Sequence, residues 1–151
     1  MVRNGSFRRN LFLFHVTKTT QEKGLTFPKE IVSKKILVVD DEIDIIFTLK
    51  SRLEAHDYEV IAATDGDEGL ARAFEHEPDL IILDIVMPKV DGYTFLKELR
   101  MNARTKQIPV IVLTGKAKMK DLFDLEGVKD YLTKPYRSED LLAKINEYLK
   151  K

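Results

Sequence analysis

From Lys34 onward the sequence alternates short apolar runs with amphipathic stretches, and this alternation constrains the fold more than any other feature. The continuous runs are Ile36-Leu37-Val38-Val39, Leu80-Ile81-Ile82-Leu83 and Pro109 to Leu113, and two more strands are read at Tyr58 to Ala63 and at Val128 to Thr133, the latter with Tyr131-Leu132 at its centre. Continuous apolar runs of this length read as strands buried on both faces. Between them apolar residues recur at helical spacing: Ile43, Ile46, Phe47, Leu49 and Leu53; then Leu70, Ala71 and Phe74; then Phe95, Leu96 and Leu99. A fourth stretch opens at the lysine-rich Lys116 to Lys120, carries Met119, Leu122, Phe123 and Leu125, and closes at Gly127. The last carries Leu141, Leu142, Ile145, Tyr148 and Leu149 on one stripe, with Ser138 placed to cap it. Five strands alternating with five helices predict an α/β fold around a parallel sheet with right-handed crossovers.

The 151 residues suit one domain, 34–151, with residues 1–33 as an N-terminal extension outside the core fold. In that extension Leu11 to Val16 could make a short strand, whereas Thr17 to Gly24 is polar and aperiodic. Since the repeating pattern needs nothing before Lys34, a natural start near Val32 or Ser33 is one expectation, which an intact mass from the native source would check. The formal net charge is zero, but residues 1–33 hold six basic residues against Glu22 and Glu30, a net of +4, which leaves −4 on the remainder. An acidic main domain argues against direct nucleic-acid binding, which needs clustered Lys and Arg. Absence of cysteine excludes disulfides, thiolate zinc sites and thiol nucleophiles, and a cytoplasmic protein is the natural reading. The run Leu11-Phe12-Leu13-Phe14 after Arg8-Arg9 is too short for a signal-peptide core or a membrane span.

The chemistry lies where the strands stop. The first ends on Asp40-Asp41-Glu42, the third on Asp84, the fourth on Thr114-Gly115 and the fifth on Lys134-Pro135. Parallel strands put these ends on one edge of the sheet, where open α/β sheets bind ligands. Taken alone, the acidic turn reads equally as a helix N-cap or as half of a cation site, because adjacent carboxylates repel unless a positive charge lies between them. Together with the other strand ends it fits phosphoryl transfer to a carboxylate. Asp84 would be the nucleophile, giving an acyl phosphate. A divalent cation held by Asp41, Asp84 and a loop backbone carbonyl would neutralise charge; magnesium suits, with manganese as its substitute. Lys134 and Thr114 would each face a phosphoryl oxygen, and Gly115 would leave the group room to arrive.

These residues resemble a response-regulator receiver domain, in its single-domain, chemotaxis-regulator-like form, over residues 34–151. The resemblance rests on the acidic pair Asp40-Asp41, on Asp84, on Met87-Pro88 and Asp91-Gly92, on Thr114, and on Lys134-Pro135. It implies a flavodoxin-like, doubly wound sheet of order 2-1-3-4-5. It also implies phosphorylation of Asp84 by a histidine kinase or phosphotransfer protein, and a switch in which Thr114 moves toward the phosphoryl group while Tyr131 reorients. Asp41 is then the direct metal ligand, Asp40 acts through water, and the loop carbonyl is that of Val86. Output is expected through a partner protein or the extension, with a phosphorylation-dependent dimer as one form, and any catalysis is limited to the protein's own phosphorylation and dephosphorylation.

Two features depart from the family pattern: the interval from Thr114 to Lys134 is slightly short, and Val86 is apolar where a polar side chain is common. Val86 is expected to shield the acyl phosphate from water. Three rival readings share parts of the pattern. A flavin carrier needs a phosphate cradle where Asp40-Asp41-Glu42 would repel it. A magnesium-dependent phosphatase with an aspartate nucleophile needs a second acid at the position of Val86. A non-phosphorylated, receiver-like binding scaffold has no need of so complete a site. Lys118 and Lys120 read as a solvated face, with Lys116 at the mouth of the crevice worth testing, and His15, His56 and His76 are given no role.

Overall fold

A computed structural model describes residues 18–22, 25–29, 31–115 and 128–150. The chain divides into two compact units, Met1–Ser33 and Lys34–Lys151, each described by itself. In the first, β1 (Lys18–Glu22) pairs antiparallel with β2 (Leu25–Lys29), setting Thr20 opposite Phe27 and Glu22 opposite Leu25. The sequence pattern predicts no element over Thr17 to Gly24. The polar, aperiodic β1 escapes such a reading because it is held by backbone pairing with the strand alongside it. The strand expected at Leu11 to Val16 lies outside the described residues.

The second unit runs β3 (Lys35–Val39), α1 (Ile43–Glu54), β4 (Glu59–Ala63), α2 (Gly66–His76), β5 (Leu80–Asp84), α3 (Gly92–Met101), β6 (Val110–Thr114), β7 (Val128–Thr133) and α4 (Ser138–Leu149). The helix expected between β6 and β7 lies outside the described residues. The five strands form one parallel sheet of order β4-β3-β5-β6-β7, which is 2-1-3-4-5 counted within the unit. This is the flavodoxin-like, doubly wound order, with its switch point between β3 and β5. Among the described residues, no helix is long and apolar enough to cross a membrane.

Successive strand residues point to opposite faces, so each continuous apolar run feeds two cores. Leu37, Val39, Ile81, Leu83, Val110 and Val112 pack with Ala73 of α2 and Phe95 and Leu99 of α3. Ile36, Val38, Leu80, Ile82, Ile111 and Leu113 pack on the other side with Ile46, Leu49 and Leu53 of α1 and Leu141 and Ile145 of α4. A sheet covered on both faces leaves its C-terminal edge as the place where side chains from several strands can meet around a ligand.

Three local expectations are corrected. On α1 the apolar periodicity admits two stripes, and the sheet takes Ile46, Leu49 and Leu53, leaving Ile43 and Phe47 each 70 % exposed. On α2 the buried face is Gly66, Gly69 and Ala73, while Ala71 is exposed and Phe74 only half-buried. The helix lies too close for large side chains: a Cβ on Gly69 would stand 2.9 Å from both Phe95 and Val39. On α4 the N-cap is Arg137, without a side-chain hydrogen bond, and Ser138 is the first helical residue. Capping by side chains occurs instead at α2, where Asp65 accepts from the Glu68 N–H at 2.8 Å, and at α3, where Asp91 accepts from the Thr94 N–H at 2.9 Å.

Candidate functional site

Backbone pairing carries each strand end one step into the crevice. Asp40 follows β3, and its N–H still donates to the Ala63 carbonyl at 3.1 Å, so the residue is fixed by the sheet although it ends the apolar run. Its carboxylate accepts from the Glu42 N–H at 2.9 Å, turning the chain toward α1 and leaving Asp41 exposed at the turn. Asp84 is the last residue of β5, paired with Leu113, and its Oδ1 accepts from the Val86 N–H at 3.1 Å. Thr114 ends β6 fully buried. Its carbonyl accepts from the Lys134 N–H at 2.7 Å, which extends the β6–β7 pairing and fixes the start of the lysine side chain.

The side chains then converge. Lys134 Nζ lies 3.2 Å from Asp40 Oδ2 and 3.5 Å from Asp84 Oδ2, with Glu42 Oε1 at 3.7 Å. Asp40, Asp41 and Asp84 each offer a carboxylate oxygen within 4.8 Å of the others. Asp40 is 1 % exposed and Asp84 5 %, so both acids are shielded from bulk water. Burial raises the Asp84 carboxyl above the ordinary aspartate range, with the Asp40 charge adding to it, against the Val86 N–H and Lys134, which pull it down. Burial alone would lower the Lys134 ammonium, but the attraction of Asp40, Asp84 and Glu42 outweighs it and holds the group above the usual lysine value. Among the described residues, this ammonium is the one positive group ion-paired with the buried acids. It cannot balance three aspartates and Glu42 together.

That imbalance suits a hard divalent cation. The donors are all oxygens, and three carboxylates come close enough to share one ion. Thr114 is brought to the same edge, with its hydroxyl donating to the Gly115 carbonyl at 3.1 Å. Among the described residues, a Cβ on Gly115 would meet nothing within 4 Å. Val86 stands 62 % exposed beside Asp84. Tyr131 sits in β7 opposite Val112, half-buried against the core on the α2 and α3 side.

Two neighbours of the site go unnoticed in the sequence pattern. Glu42 reaches Lys134 as the third acid of the turn, a role that its place in the acidic run could have suggested. Tyr136, two residues past the lysine, lines a cavity of about 210 Å³ beside α1 with Asp44, Ile45, Thr48 and Leu49. Burial raises its phenol above the ordinary tyrosine value. An aromatic residue directly after Lys134-Pro135 was the available signal.

Comparisons with known proteins cover the part of the chain that carries these residues. A family profile described as "Response regulator receiver domain" matches residues 36–146. The "DNA-binding dual master transcriptional regulator RpaA" of Synechocystis sp. is 42 % identical over 120 residues, covering 78 % of this chain and 49 % of the relative. The chain thus spans about half the length of such relatives. Among solved structures, the chemotaxis protein CheY4 of Vibrio cholerae superposes with a TM-score of 0.73 at 34 % identity, covering 78 % of this chain and 99 % of that one. The receiver domain of the sensor histidine kinase PA1611 from Pseudomonas aeruginosa superposes with a TM-score of 0.72 at 26 % identity, covering 80 % and 100 %. In that protein a magnesium ion is coordinated in the active-site cleft.

Proposed function

Because the chain belongs to the response regulator receiver domain family, we propose that it is a phosphorylation-controlled switch whose phosphoacceptor is Asp84. The observation that carries this reading is the placement of Asp84 at a strand end, within 3.5 Å of Lys134 and grouped with Asp40 and Asp41. The donor is a histidine kinase or phosphotransfer protein. The Asp84 carboxylate attacks phosphorus; a P–O bond forms, the P–N bond of the phosphohistidine breaks, and the leaving imidazole nitrogen keeps the electron pair and takes a proton. Lys134 meets one phosphoryl oxygen as a point charge. The Thr114 hydroxyl leaves the Gly115 carbonyl and donates to another, and Tyr131 reorients with it. Asp41, Asp84 and the Val86 carbonyl, with Asp40 through water, would hold a magnesium or manganese ion, which when bound would supply positive charge between the carboxylate and the incoming phosphoryl oxygens.

Output runs through protein–protein contacts in the cytoplasm. The DNA-binding activity in the name of the Synechocystis relative belongs to a protein of which this chain matches half. A phosphatase reading of the same nucleophile lacks its second acid, since Val86 occupies that place. The experiment is to incubate the protein with magnesium and a small phosphodonor and to follow both protein mass and free phosphate. Retained phosphate, lost in Asp84→Ala, supports the switch. Continuous release of phosphate over many turnovers, with no retained label, would replace it by the phosphatase.

A further inference from the structure

The loop that follows Asp84 must hold its backbone in one place if the Val86 carbonyl is to serve the cation. Its two ends are fixed: Asp84 lies in the sheet, and the Gly92 N–H donates to the Ile85 carbonyl at 3.1 Å, closing the loop at its base. Between these points the chain passes through Val86, Pro88 and Lys89, all exposed, with Lys89 in the left-handed region at φ 68°. A lateral support comes from α2. A Cβ built on Gly66 would lie 2.6 Å from the Val90 carbonyl oxygen, 2.7 Å from its Cβ and 2.8 Å from its Cγ1. Such distances are below any that a real Cβ tolerates, so the first turn of α2 seats against the loop backbone only because residue 66 has no side chain.

We propose that Gly66 is a positioning residue of the cation site, setting where the Val86 carbonyl stands by letting α2 buttress Val90. The inference rests on the reading of Val86 as a ligand. Two observations decide which partner would yield if a side chain were added. The helix is pinned along its length by buried Gly69 and Ala73, with Gly69 packed on Val39 and Phe95. The loop from 86 to 91 is mostly exposed and spans few residues. The loop therefore moves, and a backbone oxygen cannot evade the clash by changing rotamer. An ion pair between Lys89 and Asp65 joins the same two elements at 3.5 Å, but its lysine is 69 % exposed and such pairs contribute little.

The test is calorimetric titration of magnesium into the full chain, with unfolding curves measured in parallel. Gly66→Ala is expected to weaken magnesium binding at least about tenfold, in the range seen when groups that orient metal ligands are altered. Val90→Ala, which removes Cγ1 without adding a clash, is expected to weaken it less, about threefold, as befits a group one step further from the ligand. Ile145→Val in α4, on the opposite face of the sheet, lowers stability but leaves the affinity of folded protein unchanged. Asp41→Asn abolishes binding if the carboxylates hold the ion. An unchanged affinity in Gly66→Ala, or in Val90→Ala should the first variant fail to fold, overturns the role of Gly66. Equal weakening in Ile145→Val overturns it too. Undiminished binding in Asp41→Asn would instead remove the cation site on which the inference rests.

Discussion

Replacing Lys134 by methionine keeps an unbranched apolar stem, one atom shorter, and removes the charge that faces Asp40 and Asp84 at 3.2 and 3.5 Å. Both carboxylates are almost wholly buried, so neither can recover its neutralisation from water. Breaking a buried ion pair by deleting one partner costs about 3–5 kcal/mol. An orphaned carboxylate has an alternative, however, which is to take up a proton. For an aspartate of ordinary unfolded pKa that route costs about 4 kcal/mol at pH 7, which caps the loss per carboxylate. The Lys134 side chain is itself 22 % exposed, so the starting interaction is partly screened. Together these bounds give an expected loss of about 2–3 kcal/mol in metal-free protein. Saturating magnesium supplies positive charge to the same carboxylates, and with it the deficit is expected to fall below about 1 kcal/mol by linkage. Urea unfolding followed by circular dichroism, with and without magnesium, measures both numbers. A deficit that magnesium leaves unchanged would refute the idea that lysine and cation neutralise one set of acids.

Other expectations follow from residues around and beneath the site. Val86→Asn is expected to give an aspartyl phosphate no longer-lived than that of the parent, measured by loss of label over time, and a clearly longer lifetime would show that Val86 does not shield it. Phe95→Ala is expected to cost about 3–5 kcal/mol in urea unfolding, because the ring is fully buried on the α2 and α3 side of the sheet; a loss below about 1 kcal/mol would contradict that packing. Glu68 is held below the ordinary glutamate range, first by the Thr64 N–H and then by Arg72. A depressed carboxyl adds stability that is present above its unfolded pKa and lost as pH falls through the folded one. Glu68→Gln is therefore expected to lower the melting temperature at neutral pH, by an amount worth under about 1 kcal/mol for so exposed a pair, and to match the parent in acid. A difference that grows toward low pH would reverse the sign.

The parallel sheet and its active edge are legible in the sequence for one reason. A strand buried on both faces must be apolar throughout, so the residue that breaks the run marks the edge, and Asp40, Asp84 and Thr114 all stand where such runs stop, whereas Lys134 follows the half-buried edge strand Val128–Thr133 and is marked by the proline after it. The strand order 2-1-3-4-5 came from the family resemblance, and the strand pairing agrees with it. Helix faces were harder to read. Large apolar residues on α2 pointed to Ala71 and Phe74, whereas close packing against Val39 and Phe95 selected Gly66, Gly69 and Ala73, residues whose contribution is the absence of volume. On α1 the spacing was compatible with two stripes, and only packing could choose between them. The β1–β2 pair is hard to see because its strands are short and β1 is polar throughout. The contact of Gly66 with Val90 joins residues 24 positions apart through a carbonyl oxygen, and backbone approach of that kind leaves no trace in side-chain pattern.

The central claim is that one carboxylate of the cluster, Asp84, accepts the phosphoryl group while Asp40 and Asp41 serve the cation. The direct measurement is localisation of the added phosphate by peptide mass mapping after treatment with magnesium and a small phosphodonor. All of the label is expected on the peptide containing Asp84, and none on that containing Asp40 and Asp41. Label on the acidic turn, or undiminished labelling of Asp84→Ala, would contradict it.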